Sequence, residues 1–159
     1  MPTTYDVFAD YNMFFLLADG TEPPELPSAA LNALIADLIA AGGGFVAIGT
    51  VRRMDVPVTV EVSTEAPQDQ LTAWDHVTEA GIRTETGTLR LAWGTSEPDD
   101  EPRIDVAPGS YRVLVYSSGF DTLSEDGLDG DDRYRLVLWP AEPESPRVVH
   151  RYPGELPGG

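Results

Sequence analysis

Two histidines and no cysteine narrow the chemistry open to this sequence. Without cysteine there is no disulfide framework, no thiolate zinc site and no cysteine nucleophile. His76 lies in Trp74-Asp75-His76-Val77, and His150 lies near the C-terminus. A serine nucleophile needs a base and an orienting acid gathered around it. No Gly-x-Ser-x-Gly elbow occurs. His76 reads instead as a partly exposed histidine on a strand or turn, its ring satisfied locally. Gly42-Gly43-Gly44 follows a helical pattern rather than opening one, and the chain has no lysine, so no phosphate-binding loop is expected.

Carboxylates are the abundant reactive group. The stretch from Ser117 to Asp132 carries Asp121, Glu125, Asp126, Asp129, Asp131 and Asp132, with Gly127 and Gly130 between them. Dense hard oxygens on a glycine-rich loop suit calcium. The acids do not follow the EF-hand spacing, so no structural metal and no cofactor is expected. A carboxylate pair could also hydrolyse glycosides, but that requires an aromatic-lined cleft. Nothing ties Trp74, Trp93 or Trp139 to such a pair.

The elements that must position these groups are mostly strands. Val58, Val60 and Val62 alternate with Thr59 and Glu61, and Leu89, Leu91 and Trp93 with Arg90 and Ala92. Tyr111, Val113 and Val115 alternate with Arg112 and Leu114, which suggests burial on both faces. Tyr134, Leu136 and Leu138 alternate with Arg135 and Val137. Shorter strands are expected at Tyr5–Ala9, Met13–Ala18, Gly44–Val51, Arg103–Val106 and Arg147–Tyr152. One segment has helical spacing: Leu31, Leu34, Ile35, Leu38 and Ile39 share a face. Ser28 is placed to cap it and the three glycines to end it, which predicts a helix over residues 28–41 packed by its Leu/Ile face. The whole predicts an antiparallel β-sandwich of about eight or nine strands with one amphipathic helix. A single domain over residues 1–152 is expected, then a flexible proline- and glycine-rich tail over 153–159 that ends in Gly158-Gly159.

Composition decides among partners. The chain has 159 residues, 27 acidic and 10 basic, and a formal charge of −17. That balance excludes a phosphate-gripping nucleic-acid binder and docking on anionic membranes. It suits a basic protein partner or a bound cation. No basic stretch followed by an apolar run opens the chain, and Leu31–Ala41 is too short to span a bilayer, so the expected location is the cytoplasm. The acidic loop exceeds about twelve residues, a length at which loops are usually functional or disordered. A second acidic stretch, Glu97-Pro98-Asp99-Asp100-Glu101, is expected to bulge into solvent.

The order of features resembles the competence protein J family. The aromatic run Asp10-Tyr11-Asn12-Met13-Phe14-Phe15-Leu16 leads to Asp19-Gly20 and Pro23-Pro24. Phe45-Val46-Ala47-Ile48, Trp74-Asp75-His76-Val77 and Gly87-Thr88-Leu89-Arg90-Leu91 follow. Pro108-Gly109-Ser110-Tyr111 turns into a strand, and Asp131-Asp132-Arg133-Tyr134 leaves the acidic loop. The similarity covers roughly Tyr5 to Tyr152. Its known member inhibits the DNA-entry nuclease of competent bacilli by forming a complex with it. The resemblance therefore implies a bacterial inhibitor with no catalytic residues.

The leading expectation is a non-catalytic protein-binding module, an acidic inhibitor that neutralises a nuclease or toxin by occupying its cationic site. The six loop acids are the expected contacts, with Tyr116 and Trp139 as aromatic anchors or, equally, core residues. The alternative is a calcium- or glycan-binding β-sandwich that uses residues 117–132. An enzyme of another type stands third. Oligomeric state is left open.

Overall fold

The computed structural model describes residues 2–68 and 71–156. In chain order the strands are β1 (Thr3–Phe8), β2 (Met13–Ala18), β3 (Ile39–Gly42), β4 (Phe45–Gly49), β5 (Asp55–Val62), β6 (His76–Thr84), β7 (Thr88–Ala92), β8 (Arg103–Asp105), β9 (Gly109–Ser118), β10 (Arg133–Pro140) and β11 (Arg147–His150). One helix, α1 (Ser28–Asp37), precedes β3. The strands form a six-stranded sheet in the order β1-β5-β10-β9-β6-β11 and a five-stranded sheet in the order β3-β4-β2-β7-β8. Pro157, Gly158 and Gly159 of the expected tail lie outside the described residues.

Alternation places the core. Val56, Val58 and Val60 of β5, Val113 and Val115 of β9, and Tyr134, Leu136 and Leu138 of β10 point one way from the larger sheet. They share a single apolar cluster with Phe14 and Leu16 of β2, Ile48 of β4, and Leu89 and Leu91 of β7 from the smaller sheet. The other face of the larger sheet is also covered. Val77, Leu114, Tyr116, Val137 and Trp139 pack there with Leu71 and Trp74. Burying one such side chain stabilises by about 1.5–3 kcal/mol. The double coverage explains the unbroken apolar run in β9.

Four expectations are corrected. The ladders are not all antiparallel: β10 runs parallel to β5, from Tyr134 opposite Val58 to Leu138 opposite Val62. There are eleven strands among the described residues, because the sequence pattern marks neither β3 nor β6. In β6 the polar residues His76, Thr78, Glu79 and Thr84 are buried, which hides the strand's alternation. The helix stops at Asp37, not at residue 41. Leu38 adopts left-handed backbone (φ 64°) and its N–H closes on the Leu34 carbonyl, 2.9 Å away. Ile39 then starts β3, and the glycines turn the β3–β4 hairpin, with Gly44 at φ 80°. Ser28 makes no side-chain cap, since Pro27 occupies the N-cap position.

The helix also packs differently. Leu34 is buried against Phe15, Leu17, Ala40 and Ala47 on the outer face of the smaller sheet. Leu31 and Ile35 are 38% and 62% exposed. No helix among the described residues is long and apolar enough to cross a membrane.

Candidate protein-binding site

The acidic loop hangs from the end of the larger sheet where β5, β6 and β10 begin and β9 ends. It is a braced structure. Asp132 is fully buried and accepts from Arg52 Nε at 2.6 Å through one oxygen. Its other oxygen accepts from the Tyr134 hydroxyl at 2.8 Å, which itself accepts the Val51 N–H at 2.9 Å. Burial, then the adjacent Asp132 carboxylate, push the Tyr134 phenol well above its usual range, so it remains a neutral donor.

At the loop's entrance, Asp75 Oδ2 accepts the Phe120 N–H at 2.9 Å, and the Phe120 ring packs between His76 and Tyr152. Gly119 takes φ 81°, and a Cβ there would collide with the Asp131 carbonyl. Only glycine fits both demands. Gly119→Ala should therefore cost about 1–3 kcal/mol. Its melting temperature should fall by about 2–4 °C per kcal/mol. An unchanged melting temperature would show that the loop's neck is not held as described.

The tip is internally bonded. The Ser124 hydroxyl and the Leu128 N–H both reach Asp126 Oδ1, at 2.6 and 3.0 Å. These bonds, the hydroxyl first, hold the Asp126 carboxyl below its ordinary range. The Asp131 N–H donates to Thr122 Oγ1 at 2.7 Å.

Of the residues singled out in the sequence, Asp121, Glu125, Asp126, Asp129 and Asp131 are exposed. None of these five is in an ion pair among the described residues. Asp132 is not a surface contact, because its carboxylate is paired inside with Arg52. Tyr116 and Trp139 are not surface anchors either. Both are buried in the cluster under Leu71 and Trp74. No three histidine or carboxylate side chains converge on a metal position among the described residues. The second acidic stretch is only partly a solvent bulge. Glu101 turns inward, 2.7 Å from Arg90 Nε, and accepts the Ser96 hydroxyl at 2.6 Å.

The arginines are consumed internally. Eight pair with carboxylates: Arg52, Arg83, Arg90, Arg103, Arg112, Arg135, Arg147 and Arg151. The other two lie over rings, Arg53 on Tyr11 and Arg133 on Trp74. The loop acids thus face solvent without neutralisation. The bracing residues Arg52, Asp75 and Gly119 were not singled out in the sequence. The only signal for Arg52 is its place before a strand that ends up beside β10.

His76 is buried, not partly exposed. Its Nδ1 accepts the Tyr152 N–H at 3.1 Å, so Nε2 carries the proton and donates to the Asp37 carbonyl at 2.8 Å. Burial lowers its proton affinity. The Asp37 carbonyl and carboxylate oppose that shift, and Arg151 and His150 reinforce it. The unfolded chain therefore takes up this proton first. Stability from His76 is complete above about pH 6.5 and is lost as pH falls below that value. Urea midpoints measured from pH 7.5 to 5 should fall more steeply for the native chain than for His76→Gln. Equal slopes would contradict the assignment.

No family model matches the sequence, and no curated protein matches it. Solved structures do share the architecture. ComJ from Bacillus subtilis, described as the inhibitor of the DNA degrading activity of NucA, superposes with a TM-score of 0.64 at 13% identity, over 89% of this chain and 96% of that one. A protein described as crocagin biosynthetic gene J superposes with a TM-score of 0.59 at 16% identity, over 88% of this chain and 97% of that one. At these identities the likeness is one of fold.

Proposed function

We propose that this chain is a non-catalytic β-sandwich inhibitor of the bacterial cytoplasm that binds a basic protein, a nuclease or toxin, and masks its cationic site. The observation that carries the reading is the braced loop with five outward carboxylates free of internal cations. Support comes from the fold shared with ComJ, whose own description is that of a nuclease inhibitor. Nuclease grooves hold phosphates, and a rigid row of carboxylates offers them a substitute. Rigidity matters because a loop already ordered loses less conformational entropy on binding. Complementary charge accelerates encounter more than it tightens the final complex.

Affinity capture tests this. The immobilised chain should retain a basic protein with nuclease or toxin activity from the extract of its native cell. That protein should be held near 50 mM salt and largely released near 500 mM, because screening shortens the reach of surface charge from roughly 14 Å to about 4 Å. Recovery only of acidic proteins, or of proteins indifferent to salt, would contradict the proposal.

A further inference from the structure

An open groove of about 370 Å³ lies beside the start of α1, against Met13 and Phe15 of the smaller sheet. Tyr11, Met13, Phe15, Pro24 and Leu31 form apolar walls, and Asp10 faces the same space. The volume falls within the roughly 300–1,000 Å³ of ligand sites. Asp10 is only 8% exposed. Its carboxylate has no hydrogen bond or ion pair among the described residues. Its oxygens still touch solvent, so a cation entering the groove would meet an unpaired carboxylate without first displacing an internal partner.

The backbone beside Asp10 is unusual. Tyr11 and Asn12 are both left-handed, at φ 57° and 60°. Such geometry costs on the order of 1–3 kcal/mol per residue, and glycine would relieve it. Tyr11 is nevertheless an aromatic residue and 67% exposed, so the fold gains little from its burial. The Arg53 guanidinium, 5.1 Å from the ring centroid, holds the ring in place. Its neighbour Arg52 holds Asp132 under the acidic loop. One dipeptide thus ties the groove to the loop.

We infer that the groove receives an arginine side chain of the basic partner, its methylenes against Met13 and Leu31 and its guanidinium on the Asp10 carboxylate. This rests on the reading of the chain as a binder of a basic protein. Arginine fits better than lysine because its planar fork matches a carboxylate, stacks on aromatic faces and is more weakly hydrated. Glu25 on the rim adds the same sign of field. The acidic loop then steers the encounter and the groove supplies the anchor, as interface energy concentrates in a few buried arginine and aromatic contacts.

Two peptides test this by nuclear magnetic resonance titration: acetyl-Leu-Arg-Leu-amide and its neutral analogue with citrulline in place of arginine. The arginine peptide should shift the Met13 methyl and Gly94 amide signals saturably, and the citrulline peptide should bind at least about tenfold more weakly, the range of a charge-assisted bond. Asp10→Asn should abolish that preference. Leu31→Arg, an exposed substitution that places a resident cation at the mouth, should block the arginine peptide with the fold intact. Equal binding of the two peptides, or shifts confined to residues 121–131, would overturn the inference. If a basic partner is captured but the groove stays silent, only the groove fails. If the groove takes the arginine peptide while capture yields no basic protein, the inhibitor reading fails.

Discussion

Asp132→Ala should lose about 3–5 kcal/mol of stability, the usual cost of stripping one partner from a buried ion pair. The substitution leaves the largely buried Arg52 guanidinium without its carboxylate and removes the acceptor of the Tyr134 hydroxyl. With total stabilities of about 5–15 kcal/mol, that is a large fraction of what holds the chain folded. At about 2–4 °C per kcal/mol, the melting temperature should fall by roughly 6–20 °C. Asp131→Ala, one residue earlier and exposed, should stay within about 0.5 kcal/mol of the native chain. Tyr134→Phe should fall between them, at about 1.5–3 kcal/mol, because the lost hydroxyl donates to a carboxylate and accepts the buried Val51 N–H. Thermal melts of the three variants would decide the matter. Equal melting temperatures for the two aspartate variants would show that the loop is not anchored through Asp132.

The second large effect concerns association. Converting Asp121, Glu125, Asp126, Asp129 and Asp131 to their amides removes five negative charges and takes the formal charge from −17 to −12. The loop should keep its shape, because an amide carbonyl at position 126 can still accept from Ser124 and Leu128. Steered association reaches about 10⁸–10⁹ M⁻¹s⁻¹ at low salt against about 10⁵–10⁶ for unsteered pairs. The amide variant should therefore associate with the captured partner at least about tenfold more slowly at low salt. The two chains should converge as salt rises past a screening length of about 10 Å. Stopped-flow mixing across a salt series measures this. Identical rates at every ionic strength would place the interface away from the loop.

Some of this was legible in the sequence, for identifiable reasons. Val58-Thr59-Val60-Glu61 and Leu89-Arg90-Leu91 sit in strands with one wet side of each residue pair, so alternation exposes them. β6 was hidden because Thr78 and Glu79 are buried polar residues, which break the pattern. Ile39-Ala40-Ala41 continues the helical spacing, and the break comes from left-handed backbone at Leu38, a conformation that leucine composition does not announce. The separation of Asp132 from its five neighbours does have a sequence signal. Asp132 shares the phase of Tyr134, Leu136 and Leu138, and so points into the core. Tyr116 and Trp139 could not be placed, because the Leu71–Trp74 segment that covers them is not a strand and carries no periodic signal. The Asp10–Tyr11 groove was equally silent, since it depends on two left-handed residues and on how the Pro23–Leu26 segment and the first turn of α1 lie against β2.

The central claim is that the chain silences a DNA-degrading or otherwise toxic basic partner. Its most direct test is DNA degradation by the captured nuclease, titrated with the purified chain at low salt. Degradation should fall in proportion to added chain and stop near a stoichiometric endpoint. The five-amide variant should require more chain or more time to reach it. Undiminished degradation in the presence of excess native chain, with the complex demonstrably formed, would contradict the account.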